Sequence, residues 1–138
     1  MNARHSVTIK SHPRHLAEVR QFVRGVAAEA GASEDVTFKC VLAVDEAVAN
    51  IIRHAYDGDE TQDIVIHAEH NRDMIEFRLR DFGHQSDTRT FKSRDLADIR
   101  PGGLGCHLIA QGFDLVSYNT DLPSGTELRL VKRLGRCA

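Results

Sequence analysis

Asp45-Glu46-Ala47-Val48-Ala49-Asn50-Ile51-Ile52-Arg53-His54-Ala55-Tyr56 is the run on which the reading of this chain turns. At about 100° per residue, Glu46, Asn50 and His54 climb one side of a helix, while Val41, Val44, Val48, Ile51 and Ala55 fill the other. A carboxylate and an amide oxygen one turn apart on a rigid element offer a general base and a ligand for a hard cation. That is half of a site for phosphoryl chemistry. The other half, rich in glycine, must lie downstream.

The flanking sequence predicts the elements that carry this helix. Val7 to Lys10 reads as a short strand. Pro13 opens a helix that runs to about Ala30 with Leu16, Val19, Phe22, Val23 and Val26 at helical spacing, and Gly31 stands at its C-cap. Ser33 is the expected N-cap of the second helix, with Glu34 and Asp35 at its positive end, and Tyr56-Asp57-Gly58-Asp59 stops it. Asp63 to Glu69 and Met74 to Arg80 alternate with period two and read as a hairpin with one face buried and one wet. Residues 83–100 turn polar and irregular. A third helix is expected after Gly102-Gly103 to Gln111, then strands Phe113 to Asn119 and Gly125 to Val131. The order β-α-α-β-β-loop-α-β-β predicts an α/β (α+β) two-layer sandwich, with a mixed, mostly antiparallel sheet covered on one face by helices.

Composition narrows the possibilities. A chain of 138 residues makes one domain with a real core and is too short for two. The formal net charge of -2 and the even spread of Lys and Arg speak against direct nucleic-acid binding. No apolar run approaches the roughly 20 residues of a membrane span, and Met1 to His15 lacks the apolar core of a signal peptide. Cys40, Cys106 and Cys137 are odd in number and far apart, which fits a reducing cytosol better than a disulfide framework or a zinc site. A cytoplasmic protein is the expectation. His67 and His70, three apart in a strand, should fall on opposite faces, and both read as solvent histidines.

Three glycine-bearing segments supply the missing half. Asp81-Phe82-Gly83 ends a strand, so Asp81 stands at a sheet edge and Gly83 turns the chain without a side chain in a ligand's way. The tripeptide is shared with the magnesium motif of eukaryotic-type protein kinases, but the chain is too short for that fold and has no His-Arg-Asp loop or strand lysine to match. Pro101-Gly102-Gly103-Leu104-Gly105 precedes a helix, where unobstructed backbone N–H groups make an anion site. It is no P-loop, because no Gly-Lys-Ser/Thr follows at the right spacing. Ser124-Gly125-Thr126 enters the last strand and can offer a hydroxyl. Taken singly, each of these also reads as a turn or hinge.

In combination, Glu-x-x-x-Asn, Asp-x-Gly, Gly-Gly-x-Gly and Gly-Thr in this order resemble the GHKL (histidine-kinase-like) ATPase superfamily, and imply its Bergerat-type ATP-binding fold. Within it the chain is similar to the anti-sigma-factor serine/threonine kinases of bacterial partner-switching systems. Glu46-Ala47-Val48-x-Asn50-x-x-x-His54-Ala55-Tyr56 and Arg100 to Ile109 carry that narrower likeness, and the resemblance spans about Val7 to Val131.

The resemblance implies roles residue by residue. Glu46 matches the general base, Asn50 the Mg2+ ligand that bridges the phosphates, and Asp81 the aspartate that receives the adenine amino group. Gly83, Gly102, Gly103, Leu104 and Gly105 match positions where backbone approaches ATP, with Thr126 near the base. His54 belongs to the pattern and either contacts the loop or finishes the helix. Residues 84–101 become the expected ATP lid, with Arg89, Lys92, Arg94 and Arg100 within or beside it. The start of that lid lacks the apolar residue many relatives carry near Ser86. The implied function is phosphorylation of a STAS-type antagonist by a homodimeric kinase that also holds a sigma factor or another output protein. The alternative is a nucleotide-binding regulatory module that binds partners without phosphoryl transfer. A two-component histidine kinase would need a dimerisation helix with a phospho-accepting histidine, and a gyrase-like clamp a transducer domain. Neither is read here.

Overall fold

The computed structural model describes residues 2–83, 109 and 112–135. Strand β1 (Ala3–Lys10) leads through a 3-10 turn (Pro13–His15) into helix α1 (Leu16–Glu29). Helix α2 (Glu34–Asn50) follows and passes directly into a π-helical turn (Ile51–Ala55). Strands β2 (Asp63–His70), β3 (Met74–Arg80), β4 (Leu115–Asn119) and β5 (Glu127–Arg133) complete a five-stranded sheet of order β1-β2-β3-β5-β4.

Local chemistry accounts for these boundaries. Pro13 has no N–H to donate and its φ suits a first helical turn, so the chain enters α1 through three residues of 3-10 helix. At the other end Ala32 N donates to Ala27 O at 2.9 Å and Gly31 N to Ala28 O at 3.0 Å, closing the helix around the expected glycine cap. Ser33 Oγ accepts from Val36 N at 3.2 Å, which is the N-cap anticipated for α2.

Every strand pairing among the described residues is antiparallel, so the expected mixed component is not found there. Alternation then decides which side is covered. Ile64, Ile66 and Ala68 of β2, Ile75, Phe77 and Leu79 of β3, and Leu128 and Leu130 of β5 are buried. They form one core with Val19, Val23 and Val26 of α1 and Cys40, Val41, Val44, Ala47 and Val48 of α2. The opposite face carries Glu76, Arg78 and Arg129, with Arg129 Nε bonded to Glu76 Oε1 at 2.7 Å. This is the two-layer arrangement that the hairpin pattern predicted. Burial drives Cys40 as well, pushing its thiol up to about 12 and making it a packing group without thiolate reactivity at neutral pH.

The predicted helix after Gly102-Gly103, and Cys106 and Cys137 with it, lies outside the described residues. Ile109 is buried in the core. A Cβ at Gly112 would lie 2.9 Å from Ala43 Cβ and 3.0 Å from Lys39 O, so the chain at that point is packed tightly on α2.

Candidate functional site

The acid and the amide of the deciding run do share one face. Glu46 and Asn50 are joined by a third residue, Arg53, whose guanidinium donates to Glu46 Oε1 at 3.0 Å and to Asn50 Oδ1 at 2.6 Å. Arg53 was not singled out as a site residue, although its spacing carried the signal. Seven residues from Glu46 and three from Asn50, it stands within about 20° of Glu46 around a helix, whereas His54 stands about 80° away. The His54 side chain is exposed and makes no hydrogen bond or ion pair among the described residues. It lies in the last helical turn, and the loop it was expected to contact lies outside the described residues.

The helix also ends differently from a regular one. Tyr56 N donates to Ile51 O at 3.0 Å, five residues back, so one extra residue is accommodated in the last turn. Single π turns of this kind are frequent at functional sites. Here the turn positions Tyr56, whose hydroxyl donates to Asp63 O at 2.6 Å and accepts from Phe82 N at 2.8 Å. One phenol thus ties the end of the α2 run to the start of β2 and to the Asp81-Phe82-Gly83 segment.

That segment is seated hard against the same turn. A Cβ at Gly83 would lie 2.1 Å from Ala55 O and 2.9 Å from Tyr56 Cδ1, so only glycine permits the approach. On the other side, Asp81 N donates to Thr126 O at 3.0 Å and Thr126 N to Asp81 O at 3.3 Å. Gly125, at φ 72°, sits so close that a Cβ would be 1.9 Å from Asp81 O. The structure therefore brings Asp81, Gly83 and Thr126 into one unit and clamps it to the end of the helix that bears Glu46 and Asn50. Gly102, Gly103, Leu104, Gly105 and the expected lid lie outside the described residues.

Asp81 is only 4% exposed and Thr126 5%. Burial raises the Asp81 carboxyl above its ordinary range, opposed by the Gly83 N–H, the charge of Arg80 and the Thr126 N–H. Its Oδ1 accepts from Gly83 N at 3.0 Å. Thr126 Oγ1 is buried with no hydrogen-bond partner among the described residues. Buried polar groups are almost always paired, so a carboxylate with spare lone pairs beside an unsatisfied hydroxyl marks a surface built for a polar ligand edge. The donor set fits the base of a nucleotide, and the Glu46/Asn50 pair fits a cation and phosphate chemistry.

Comparisons with known proteins bear on the family and the fold. Residues 9–132 match the family model described as "Histidine kinase-like ATPase domain". The serine-protein kinase RsbW of Halalkalibacterium halodurans is 30% identical over 138 residues, covering 94% of this chain and 83% of its own. The RsbW of Listeria innocua is 29% identical over 129 residues, covering 88% and 82%. Among solved structures, the SiaB-SiaC complex from Pseudomonas aeruginosa superposes with a TM-score of 0.71 at 15% identity, over 92% of this chain and 88% of that one. The RsbU and RsbW domains of Rv1364c from Mycobacterium tuberculosis give a TM-score of 0.68 at 20% identity over 99% of this chain, which spans 33% of that longer protein. These two likenesses bear on the fold.

Proposed function

The chain belongs to the histidine kinase-like ATPase domain family, and on that premise we propose that it is an ATP-dependent serine/threonine kinase of a partner-switching system. Its substrate is a STAS-type antagonist protein. The observation that carries the reading is the buried Asp81 carboxylate beside the unpartnered Thr126 hydroxyl, clamped to the helix that bears Glu46 and Asn50.

Each described residue then has a task that its surroundings allow. Asp81 accepts from the amino group of adenine, and Thr126 Oγ1 gains the hydrogen bond it otherwise lacks. Asn50 Oδ1 is an oxygen donor of the kind Mg2+ takes, and the ion neutralises phosphate charge when bound. Glu46 stands one turn away and takes the proton of the attacking serine or threonine hydroxyl. Arg53 must release both groups as they engage. Phosphoryl transfer asks for positioning and charge neutralisation above all, and a rigid helix with glycine-seated loops provides it.

No helix among the described residues is long and apolar enough to cross a membrane, in keeping with a cytoplasmic kinase. A homodimer, and a sigma factor or other output protein as the second partner, complete the proposal. Purified chain, Mg·ATP labelled at the γ-phosphate and the STAS-type antagonist encoded nearest to it are the test. Label should pass to the antagonist, and Glu46→Gln should abolish transfer while leaving nucleotide binding intact. Tight Mg·ATP binding with no transfer to the antagonist would instead establish a binding module.

A further inference from the structure

Three side chains from three elements converge at the hairpin end of the sheet. His70 pairs with Ile75 across β2 and β3, six residues before Asp81, which places it about 20 Å from the nucleotide end by strand rise. His5 comes from the edge strand β1, His70 ends β2 and Glu29 ends α1. Ala68 faces His5 and His70 faces Ala3, so the two histidines are diagonal neighbours on the helix-covered side of the sheet. Their rings stack with centroids 5.7 Å apart and planes inclined by 14°. Glu29 Oε2 lies 2.7 Å from His70 Nε2 and 2.5 Å from His5 Nε2. The expectation of a solvent histidine at position 70 is thereby overturned, since His70 is 8% exposed.

The placement of Glu29 is electrostatically odd. It occupies the last residue of α1, where the helix dipole presents its negative end, and the last turn contains no basic residue. Its hydrogen bonds to His70 and His5 hold its carboxyl below the usual carboxylate range. We propose that His5, Glu29 and His70 form a binding site for a divalent transition metal, and that Zn2+ is the ion it takes.

Two imidazole nitrogens and one carboxylate oxygen are a donor set that Zn2+ accepts, leaving a fourth position for water. Mg2+ and Ca2+ prefer oxygen ligands throughout, so this site is chemically separate from one at Asn50. The three ligand atoms all lie within 4.8 Å of one another. Bond lengths near 2.0–2.1 Å at tetrahedral angles separate donors by about 3.4 Å, so each of the two Glu29–histidine contacts has to open by less than about 1 Å. Glu29 and His5 have room for this, with side chains 51% and 35% exposed. Each imidazole offers its Nε2 lone pair once its proton resides on Nδ1, and metal and proton compete for that lone pair. A bound ion staples the edge strand to the end of α1.

Zn2+ titration of the chelator-treated full chain by calorimetry tests this, with Co2+ absorption as a spectroscopic report on the ligands. One equivalent should bind, with visible bands of a low-coordinate Co2+ site and a raised Tm. His5→Ala and Glu29→Gln, at partly exposed positions, should each weaken Zn2+ by about tenfold or more, the scale on which even outer contacts of metal sites act. His12 and His15, half-buried beside Glu60 and Glu18, provide the control, and a His12→Ala/His15→Ala double variant should bind as the parent does. Absence of stoichiometric binding, wild-type affinity in both single variants, or loss of binding in the double variant would each overturn the site. None of these readouts needs nucleotide or antagonist.

Discussion

Replacing Asp81 by Asn should make the protein more stable and a poorer ATP binder at the same time. The carboxylate is 4% exposed, and burial lifts its proton affinity against the opposing pull of two backbone N–H groups and Arg80. A group that binds its proton more tightly when folded subtracts stability when ionised, and the loss grows as pH rises from the ordinary aspartate value through the raised one. Asparagine removes that cost and keeps the turn, because its side-chain oxygen can still accept from Gly83 N. Binding suffers for the same reason. The single amide oxygen must serve both Gly83 N–H and an adenine amino group, and its NH2 turned to the ligand opposes a donor with a donor. Loss of a charge-assisted bond of about 1.5–3 kcal/mol predicts roughly 10- to 150-fold weaker binding. Calorimetry of Mg·ATP binding and thermal melts across pH decide it. D81N should melt higher near neutral pH, and its advantage should vanish in acid below the ordinary aspartate range. A lower neutral Tm, or undiminished ATP affinity, would refute the reasoning.

Arg53→Ala frees Asn50 and Glu46 from a partly exposed ion pair worth about 1 kcal/mol at most, so Mg·ATP affinity should rise by up to about fivefold in the same titration. Weaker binding would make Arg53 a phosphate ligand with no latching role. Tyr56→Phe leaves Asp63 O and Phe82 N without their shared partner and should cost about 2 kcal/mol, a Tm fall of roughly 5–10 °C by calorimetry. Gly125→Ala meets both an unfavourable φ of 72° and a Cβ 1.9 Å from Asp81 O, so nucleotide titration should show binding lost even where circular dichroism shows the sheet intact.

The parts legible in sequence are those where one residue's environment follows from its neighbours. Met74–Arg80 reads correctly because apolar and charged residues alternate without a break, and Ser33 because a hydroxyl next to two acids has one obvious use. Strand β1 proved longer than Val7 to Lys10, since Ala3 and His5 share the parity of Val7 and Ile9 but not their hydrophobicity. The same parity places His70 with Ile64 and Ile66. Separation from His67 by three told that the two face opposite ways, and only the parity tells which one is inside. The π turn was not readable at all. Ile51 to Ala55 are unexceptional in a helix, and the irregular closure depends on Tyr56 reaching Asp63 and Phe82, which are distant in sequence.

The two halves of the site are held by different means, and this accounts for what each can contribute. At the phosphate end Arg53 supplies charge and hydrogen bonds to Glu46 and Asn50, so engaging a cation there exchanges one satisfied arrangement for another and yields little net affinity. Around Asp81 and Thr126, the proposed base end, no side chain among the described residues plays that part. Asp81 is buried and Thr126 Oγ1 has no partner among the described residues, while Tyr56, Gly83 and Gly125 hold the backbone around them in close contact. A ligand that satisfies these groups recovers a cost the fold has already met, which is the most efficient source of binding energy available to a small domain. On the proposed roles, affinity therefore belongs to the base end. The phosphate end is left free to use its interactions on the transition state, where they raise the rate of transfer and do not merely tighten the complex.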